Sequence, residues 1–141
     1  MAYFRSGTGG GGGGSETETT LWTNPSPASA FSAQTITLSN AYTNYKRLRF
    51  YFRKSTSDST EYFVEYTKEE IGKWWDGSTS TTFSPVGGMP YYRSGSNYAS
   101  RVIRRAGASV TNQFWISAAY NMNSSGTGTA YGIPTKITGI N

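Results

Sequence analysis

The residues that could do chemistry are few, and their spacing keeps them apart. The carboxylates are Glu16, Glu18, Asp58, Glu61, Glu65, Glu69, Glu70 and Asp76. Glu61 and Glu65 lie four apart in an alternating segment, which puts them about 13 Å apart on one strand face. A glycosidase pair needs about 5–9.5 Å. Glu69 and Glu70 are neighbours and point in different directions. The chain has no His and no Cys. That removes the usual general base, the Ser-His-Asp triad, imidazole ligation, disulfides and thiolate metal sites. Ser and Thr are abundant, but a hydroxyl nucleophile needs an activating base. Only Lys remains for that role, and no S-x-x-K motif occurs. The reading is a protein that is not an enzyme and uses no cofactor or metal.

The aromatics offer a second kind of chemistry. They make up 16% of the chain, with 11 Tyr and 4 Trp. Trp74 and Trp75 followed by Tyr91 and Tyr92 could form a stacking platform for sugar rings or for bases. Adjacent strand residues face opposite ways, so at most one of Trp74 and Trp75 serves any one face. The competing role for the pair is core or subunit contact.

The basic residues are a third. Residues 1–70 hold seven Lys/Arg against seven Asp/Glu, while 71–141 hold six against Asp76 alone, so the net +5 lies in the second half. Arg101, Arg104 and Arg105, with Arg47, Arg49, Arg53 and Arg93, could face an anion. No recognised nucleic-acid motif accompanies them, and inter-subunit or intra-sheet pairing with Glu61, Glu65, Glu69 and Glu70 is the simpler expectation.

The elements that must position these groups read as strands. Lys46–Arg53 alternates without exception: Leu48, Phe50 and Phe52 on one face, Arg47, Arg49, Tyr51 and Arg53 on the other. Glu61–Lys68 answers it, with Tyr62, Val64 and Tyr66 inward and Glu61 and Glu65 placed to meet the arginines. Thr17–Thr23, Phe31–Ser39, Ala99–Ala106, Thr111–Tyr120 and Thr129–Ile140 are further strands. In Thr111–Tyr120, Phe114, Ile116, Ala118 and Tyr120 fall in one phase. Pro134 implies that the last strand is bent or at an edge. Asp76-Gly77 reads as a turn, and Glu69–Trp74 is the single weak helical candidate. Seven or eight short strands separated by turns suit an all-β fold, an antiparallel, jelly-roll-like β-sandwich over residues 16–141.

Residues 1–15 read differently. They form an extended, Gly-rich N-terminal arm, with an unbroken run from Gly9 to Gly14. Gly7, Gly9 and Gly12 formally match G-x-G-x-x-G, but no strand precedes them and no helix follows. The run reads as a tether, and Tyr3, Phe4 and Arg5 as residue types that anchor interfaces. Tyr3, Phe4, Arg5, Gly9, Gly12 and Gly14 are the expected assembly contacts. The N-terminus shows no apolar signal-peptide core, and no apolar run approaches a membrane span. The sequence therefore predicts an intracellular product that does not enter a membrane.

Leu21-Trp-Thr-Asn-Pro-Ser-Pro27, followed by Phe31-Ser-Ala-Gln-Thr35, and the ending Ile133-Pro-Thr-Lys-Ile-Thr-Gly-Ile140 resemble small tail or minor structural proteins of tailed bacteriophages and prophages of gut bacteria. A glycine-rich segment before the domain is a familiar feature of that group. The resemblance implies a virion protein of tail, fibre or head-decorating type, made in the bacterial cytoplasm. Its partners would be other capsid or tail proteins, and its own assembly a homo-oligomer, with a trimer the commonest form. Host attachment through a surface glycan is part of that expectation, nucleic acid is not, and a carbohydrate-binding module is the alternative reading.

Overall fold

In a computed structural model the chain is described over residues 3–6, 15–79, 83–89, 92–94, 97–121 and 127–141, with backbone alone at 3–6, 92–94, 97–98, 121 and 127. The strands are β1 (Tyr3–Ser6), β2 (Glu18–Thr23), β3 (Gln34–Thr37), β4 (Arg47–Ser55), β5 (Glu61–Thr67), β6 (Gly87–Gly88), β7 (Tyr92–Ser94), β8 (Asn97–Ser100), β9 (Val102–Arg105), β10 (Gln113–Ile116), β11 (Ala119–Asn121), β12 (Thr127–Gly128) and β13 (Tyr131–Ile140). A 3-10 turn spans Tyr42–Asn44, and one short helix, α1, spans Lys68–Gly72. The fold is all-β, and among the described residues every strand pairing is antiparallel.

One layer is a five-stranded sheet ordered β1-β5-β4-β13-β2. The strict alternation of β4 and β5 sets its register: Leu48 pairs with Tyr66, Phe50 with Val64 and Phe52 with Tyr62. These side chains face a second sheet, β3-β10-β9-β6. Ile36, Ile103, Phe114 and Ile116 meet them from that side in one cluster with Leu21, Ile133 and Ile137. Phe50 and Phe114 touch edge to face across the layers, centroids 5.6 Å apart. Two sheets whose apolar faces cover each other make a sandwich.

The third sheet, β12-β11-β8-β7, continues the second. Only Arg101 separates β8 from β9, and only Ser117 and Ala118 separate β10 from β11. Both strands of the hairpin are interrupted at the same level. The interruption also shifts the phase of the expected long strand. Phe114 and Ile116 are buried as expected, but past Ser117 the buried residue is Ala119, and Tyr120 is exposed.

Two further local outcomes follow from backbone chemistry. The helix begins one residue earlier than its weak sequence signal, at a capping box. Thr67 Oγ1 accepts from the Glu70 N–H, and Glu70 accepts from the Thr67 N–H. β13 is central, between β4 and β2, in spite of Pro134. Its pairing with β4 shifts between Pro134 and Lys136, so the proline occupies an irregularity rather than an edge.

The arm was expected to stand apart from the domain. Its first residues do not: Tyr3 pairs with Glu65, Phe4 with Val64, Arg5 with Phe63 and Ser6 with Tyr62, making β1 the outermost strand beside β5. Gly9, Gly12 and Gly14 lie outside the described residues.

Candidate functional site

The four aromatics expected to form one platform are divided between faces. Trp74 is buried, its ring 4.8 Å from Tyr66, 5.9 Å from Phe114 and 6.0 Å from Phe50. Trp75 is half-buried and has other partners; the two follow the end of α1 and neither lies in a strand, so the alternation argument does not apply to them. Tyr91 lies outside the described residues, and of Tyr92 only the backbone is described, paired with Ala99 in β7.

What Trp75 meets instead is Arg104. The Arg104 guanidinium carbon lies 5.0 Å from the Trp75 ring centroid and 4.8 Å from that of Trp115. One cation thus lies between two indoles, an arrangement favoured by the negative π faces of the rings. Three local features build it. Arg104 and Trp115 are directly opposed in the β9–β10 ladder. The chain of Trp75 is tied alongside β9 by the Arg105 N–H to the Trp75 carbonyl at 3.1 Å, and its own N–H reaches the Pro85 carbonyl at 2.8 Å. Its indole N–H donates to the Ser78 carbonyl at 2.7 Å. Gly77 then turns the chain at φ +87°, where a β-carbon would collide with the Arg104 guanidinium. Asp76 steadies the turn by accepting from the Ser78 N–H at 2.9 Å, and the Ser78 hydrogen bonds hold its carboxyl below the usual range. Near this ladder, Phe83 is fully exposed and Val86 partly so.

The outer face of the five-stranded sheet carries the charges. Arg49 is 4% exposed and Glu65 2%, and they pair directly across the β4–β5 ladder. Arg47 lies 3.5 Å from Glu65, and Arg49 also reaches Glu18 at 3.1 Å. Tyr51 donates its hydroxyl to Glu18, and Thr138 does so at 2.8 Å. Lys136 stands 4.4 Å over the Tyr51 ring, and Arg49 4.9 Å over Phe63. Arg47, Arg49 and Lys136 thus balance Glu16, Glu18 and Glu65. Desolvation opposes charge on Glu18. The Tyr51 and Thr138 hydrogen bonds and the Arg49 charge nonetheless hold its carboxyl below the ordinary value. Burial, then the bond to Glu18, pushes the Tyr51 phenol up to about 12. Burial likewise opposes charge on Arg49, and the Glu65 and Tyr51 contacts hold its pKa above the ordinary value. A carboxylate clamped by a guanidinium does not serve as a free base, so this network positions strands. Glu61 is engaged separately, accepting from Thr135 Oγ1 at 2.6 Å.

Within the chain, among the described residues, Arg101, Arg104 and Arg105 meet backbone carbonyls and aromatic rings rather than the glutamates expected in the sheet. Arg105 donates to the Trp74 carbonyl at 3.0 Å and the Ala108 carbonyl at 3.2 Å. Arg101 is 1% exposed. Its guanidinium donates to the carbonyls of Phe31 at 2.9 Å, Ser117 at 2.8 Å and Tyr131 at 2.9 and 3.1 Å, with a longer contact to Thr129 at 3.4 Å. Burial pushes its pKa down to about 10, which leaves it charged at neutral pH. Arg101 is therefore a hub joining the β8–β9 break, the Phe31 loop and the start of β13.

Sequence reasoning missed Trp115, Arg104 as its partner, and Arg101 as a hub. The first two were accessible through the hairpin around Gly107, whose register opposes Arg104 to Trp115. Arg101 had no such signal, because its acceptors are backbone carbonyls. Among the described residues no helix is long and apolar enough to cross a membrane. No protein-family model matches the chain, and no curated protein is significantly similar to it.

Proposed function

We propose that this chain is a non-enzymatic structural protein of a tailed-bacteriophage particle, of tail, fibre or head-decorating type, that self-associates and presents its sandwich at the particle surface. The observation that carries the reading is the adjacency of the two segments on which the phage resemblance rests. Leu21–Pro27 and Ile133–Ile140 are far apart in sequence. In the fold, Trp22 pairs with Ile137 and Thr23 with Lys136. Asn24 then closes the join, its N–H donating to the Thr135 carbonyl and its side-chain amide to the Pro134 carbonyl, both at 2.8 Å. The resemblance thus covers one packed unit rather than two unrelated stretches. The Arg49–Glu65 clamp favours a structural over a catalytic use of the carboxylates.

The test is fractionation of producing cells. The chain should sediment with assembled particles at a fixed copy number. Recovery only in the soluble fraction, with particles complete without it, would overturn the proposal.

A second reading, a carbohydrate-binding module free or displayed on the particle, is favoured by the half-exposed Trp75 and Trp115 rings held apart by Arg104. Indole faces stack on sugar rings, and a guanidinium between them supplies donors. A glycan array separates the readings: specific binding lost in Trp115→Ala supports this one, and no binding to any glycan removes it.

A further inference from the structure

Resting on the carbohydrate reading above, we infer that the Trp75–Arg104–Trp115 ladder binds an acidic sugar, with Arg104 taking its carboxylate and the neighbouring strand face taking its hydroxyls. Arg104 Nη1 donates to the Arg105 carbonyl at 3.0 Å, and it is the atom that a β-carbon on Gly77 would meet first. Among the described residues, Nε and Nη2 make no hydrogen bond, and no carboxylate lies within ion-pair distance of this guanidinium. Asp76, the one carboxylate of residues 71–141, is engaged by the Ser78 N–H instead. The Trp75 indole N–H is spent on the Ser78 carbonyl, whereas that of Trp115 meets no acceptor among the described residues. The ladder therefore holds a cation and an indole donor that the fold itself does not use.

The shape of the ladder selects the anion. The guanidinium carbon lies 5.0 and 4.8 Å from the two ring centroids, so the indole faces turned toward it are already covered. What the space between them offers a ligand is the edge of a planar cation, rimmed by the positive edges of two rings. The Nε–Nη2 edge of an arginine matches a carboxylate through two parallel N–H···O bonds. A planar carboxylate lies in the guanidinium plane and clears both indoles. A tetrahedral sulfate or phosphate projects oxygens out of that plane, toward the negative ring faces. The surrounding face says what carries the carboxylate. Ile36, Ile103, Phe114 and Ile116 are buried, so Thr35, Thr37, Arg104, Gln113 and Trp115 line the outer face of β3, β10 and β9. Thr35 stands opposite Trp115, and Thr37 opposite Gln113. Gln113 donates to Thr37 Oγ1 at 3.1 Å, which leaves its amide oxygen to accept and the exposed threonine hydroxyls to donate. One cation beside a row of hydroxyls and an amide fits a polymer of many hydroxyls and sparse negative charge. A nucleic acid carries a phosphate at every nucleotide and calls for a track of cations. The neighbouring Arg105 supplies none of that track, because it is turned to the carbonyls of Trp74 and Ala108. The occupant is therefore an acidic polysaccharide.

The test is a glycan array probed with the full chain, printed with uronic-acid-bearing and sialic-acid-bearing glycans, each beside its carboxyl-reduced form. Reduction replaces the carboxylate with a hydroxymethyl group and leaves the rest of the sugar in place. The parent chain should bind at least one acidic glycan, and reduction of that glycan should weaken binding at least about tenfold, the loss of a charge-assisted pair. Arg104→Lys keeps the charge but not the fork, and should lose a similar factor on the acidic glycan. Equal binding of the acidic and reduced forms would overturn the inference and leave the carbohydrate reading standing. No binding to any glycan would remove both. Dextran sulfate and a single-stranded DNA oligomer supply the sulfate and phosphate arms. Either one bound as tightly as the best acidic glycan would show general attraction to polyanions and would also overturn the inference. The reduction arm uses the parent chain, so its result does not depend on how the Arg104 variant folds.

Discussion

Arg101 and Ser117 hold each other at the level where two neighbouring strands break. The Arg101 guanidinium donates to the Ser117 carbonyl at 2.8 Å, while the Ser117 hydroxyl accepts from the N–H of Val102 at 2.8 Å. The Ser117 N–H returns to the Val102 carbonyl at 2.9 Å. A side chain thus enters the ladder where the strands are interrupted, and the backbone groups there keep partners.

Replacing Arg101 should therefore be costly even though it touches no ligand. Arg101→Met strands several buried carbonyls, each worth about 1–3 kcal/mol when left without a donor. Arg101→Lys keeps the charge but not the planar fork, and cannot serve the same set of acceptors. Both variants should unfold at clearly lower urea concentration than the parent, with Met the worse. A Lys variant of parental stability would show that charge alone, not geometry, is what the site needs.

The core makes a simpler prediction. Phe50 is 1% exposed and touches Tyr66, Trp74 and Phe114. Phe50→Ala should cost about 3–5 kcal/mol. Equilibrium denaturation measures this, and a loss below about 1 kcal/mol would mean that the two layers do not meet there.

The pH dependence of stability has two limbs with opposite signs. Tyr51 is raised to about 12 in the fold, against about 10 when unfolded. Its contribution is fully present below pH 10 and is lost as pH rises toward 12, because the unfolded chain gives up the proton first. Glu18 is lowered in the fold, so its contribution is present above the ordinary carboxylate value and is lost as pH falls below it. Urea midpoints from pH 3 to 12 should fall at both ends. Tyr51→Phe should flatten the alkaline limb, and an unchanged alkaline slope in that variant would contradict the assignment.

The Trp75–Arg104–Trp115 ladder should be separable from folding. Arg104→Ala removes a partly exposed cation–π contact worth about 0.5–1 kcal/mol per ring, so the domain should stay folded. Both indoles should become more accessible to acrylamide quenching. Gly77→Ala should disturb the same contact from the other side, since its β-carbon meets the Arg104 guanidinium. Unchanged quenching in both variants would mean the ladder does not persist in solution.

Much of the first layer was legible in the sequence because β4 and β5 alternate strictly and their charges match. That arginines would oppose Glu61 and Glu65 follows from the pattern; the register, Arg49 opposite Glu65 and Arg53 opposite Glu61, comes from the structure. What the alternation concealed is burial on both faces. Arg49, Tyr51 and Glu65 read as a solvated side, yet opposite charges in equal number let them be taken out of water together. The break at Arg101 and Ser117 was not legible, since it depends on backbone acceptors that every residue carries. The separate surroundings of Trp74 and Trp75 were not legible through strand alternation, since neither lies in a strand, and the partner of Trp75 was hidden because Arg104, on a hairpin some thirty residues away in sequence, meets it beside the Gly77 turn. The pairing of β1 with β5 was concealed by the glycine run behind it, which reads as a tether whatever its far end does.

The central claim, that this is a particle component, is tested most directly by cryo-electron microscopy of purified particles from producing cells. The account predicts density for repeated copies of the two-layer sandwich at a symmetric position on the tail, fibre or head, with Trp22 packed against β13 in every copy. Particles resolved throughout with no density that fits the domain would contradict it.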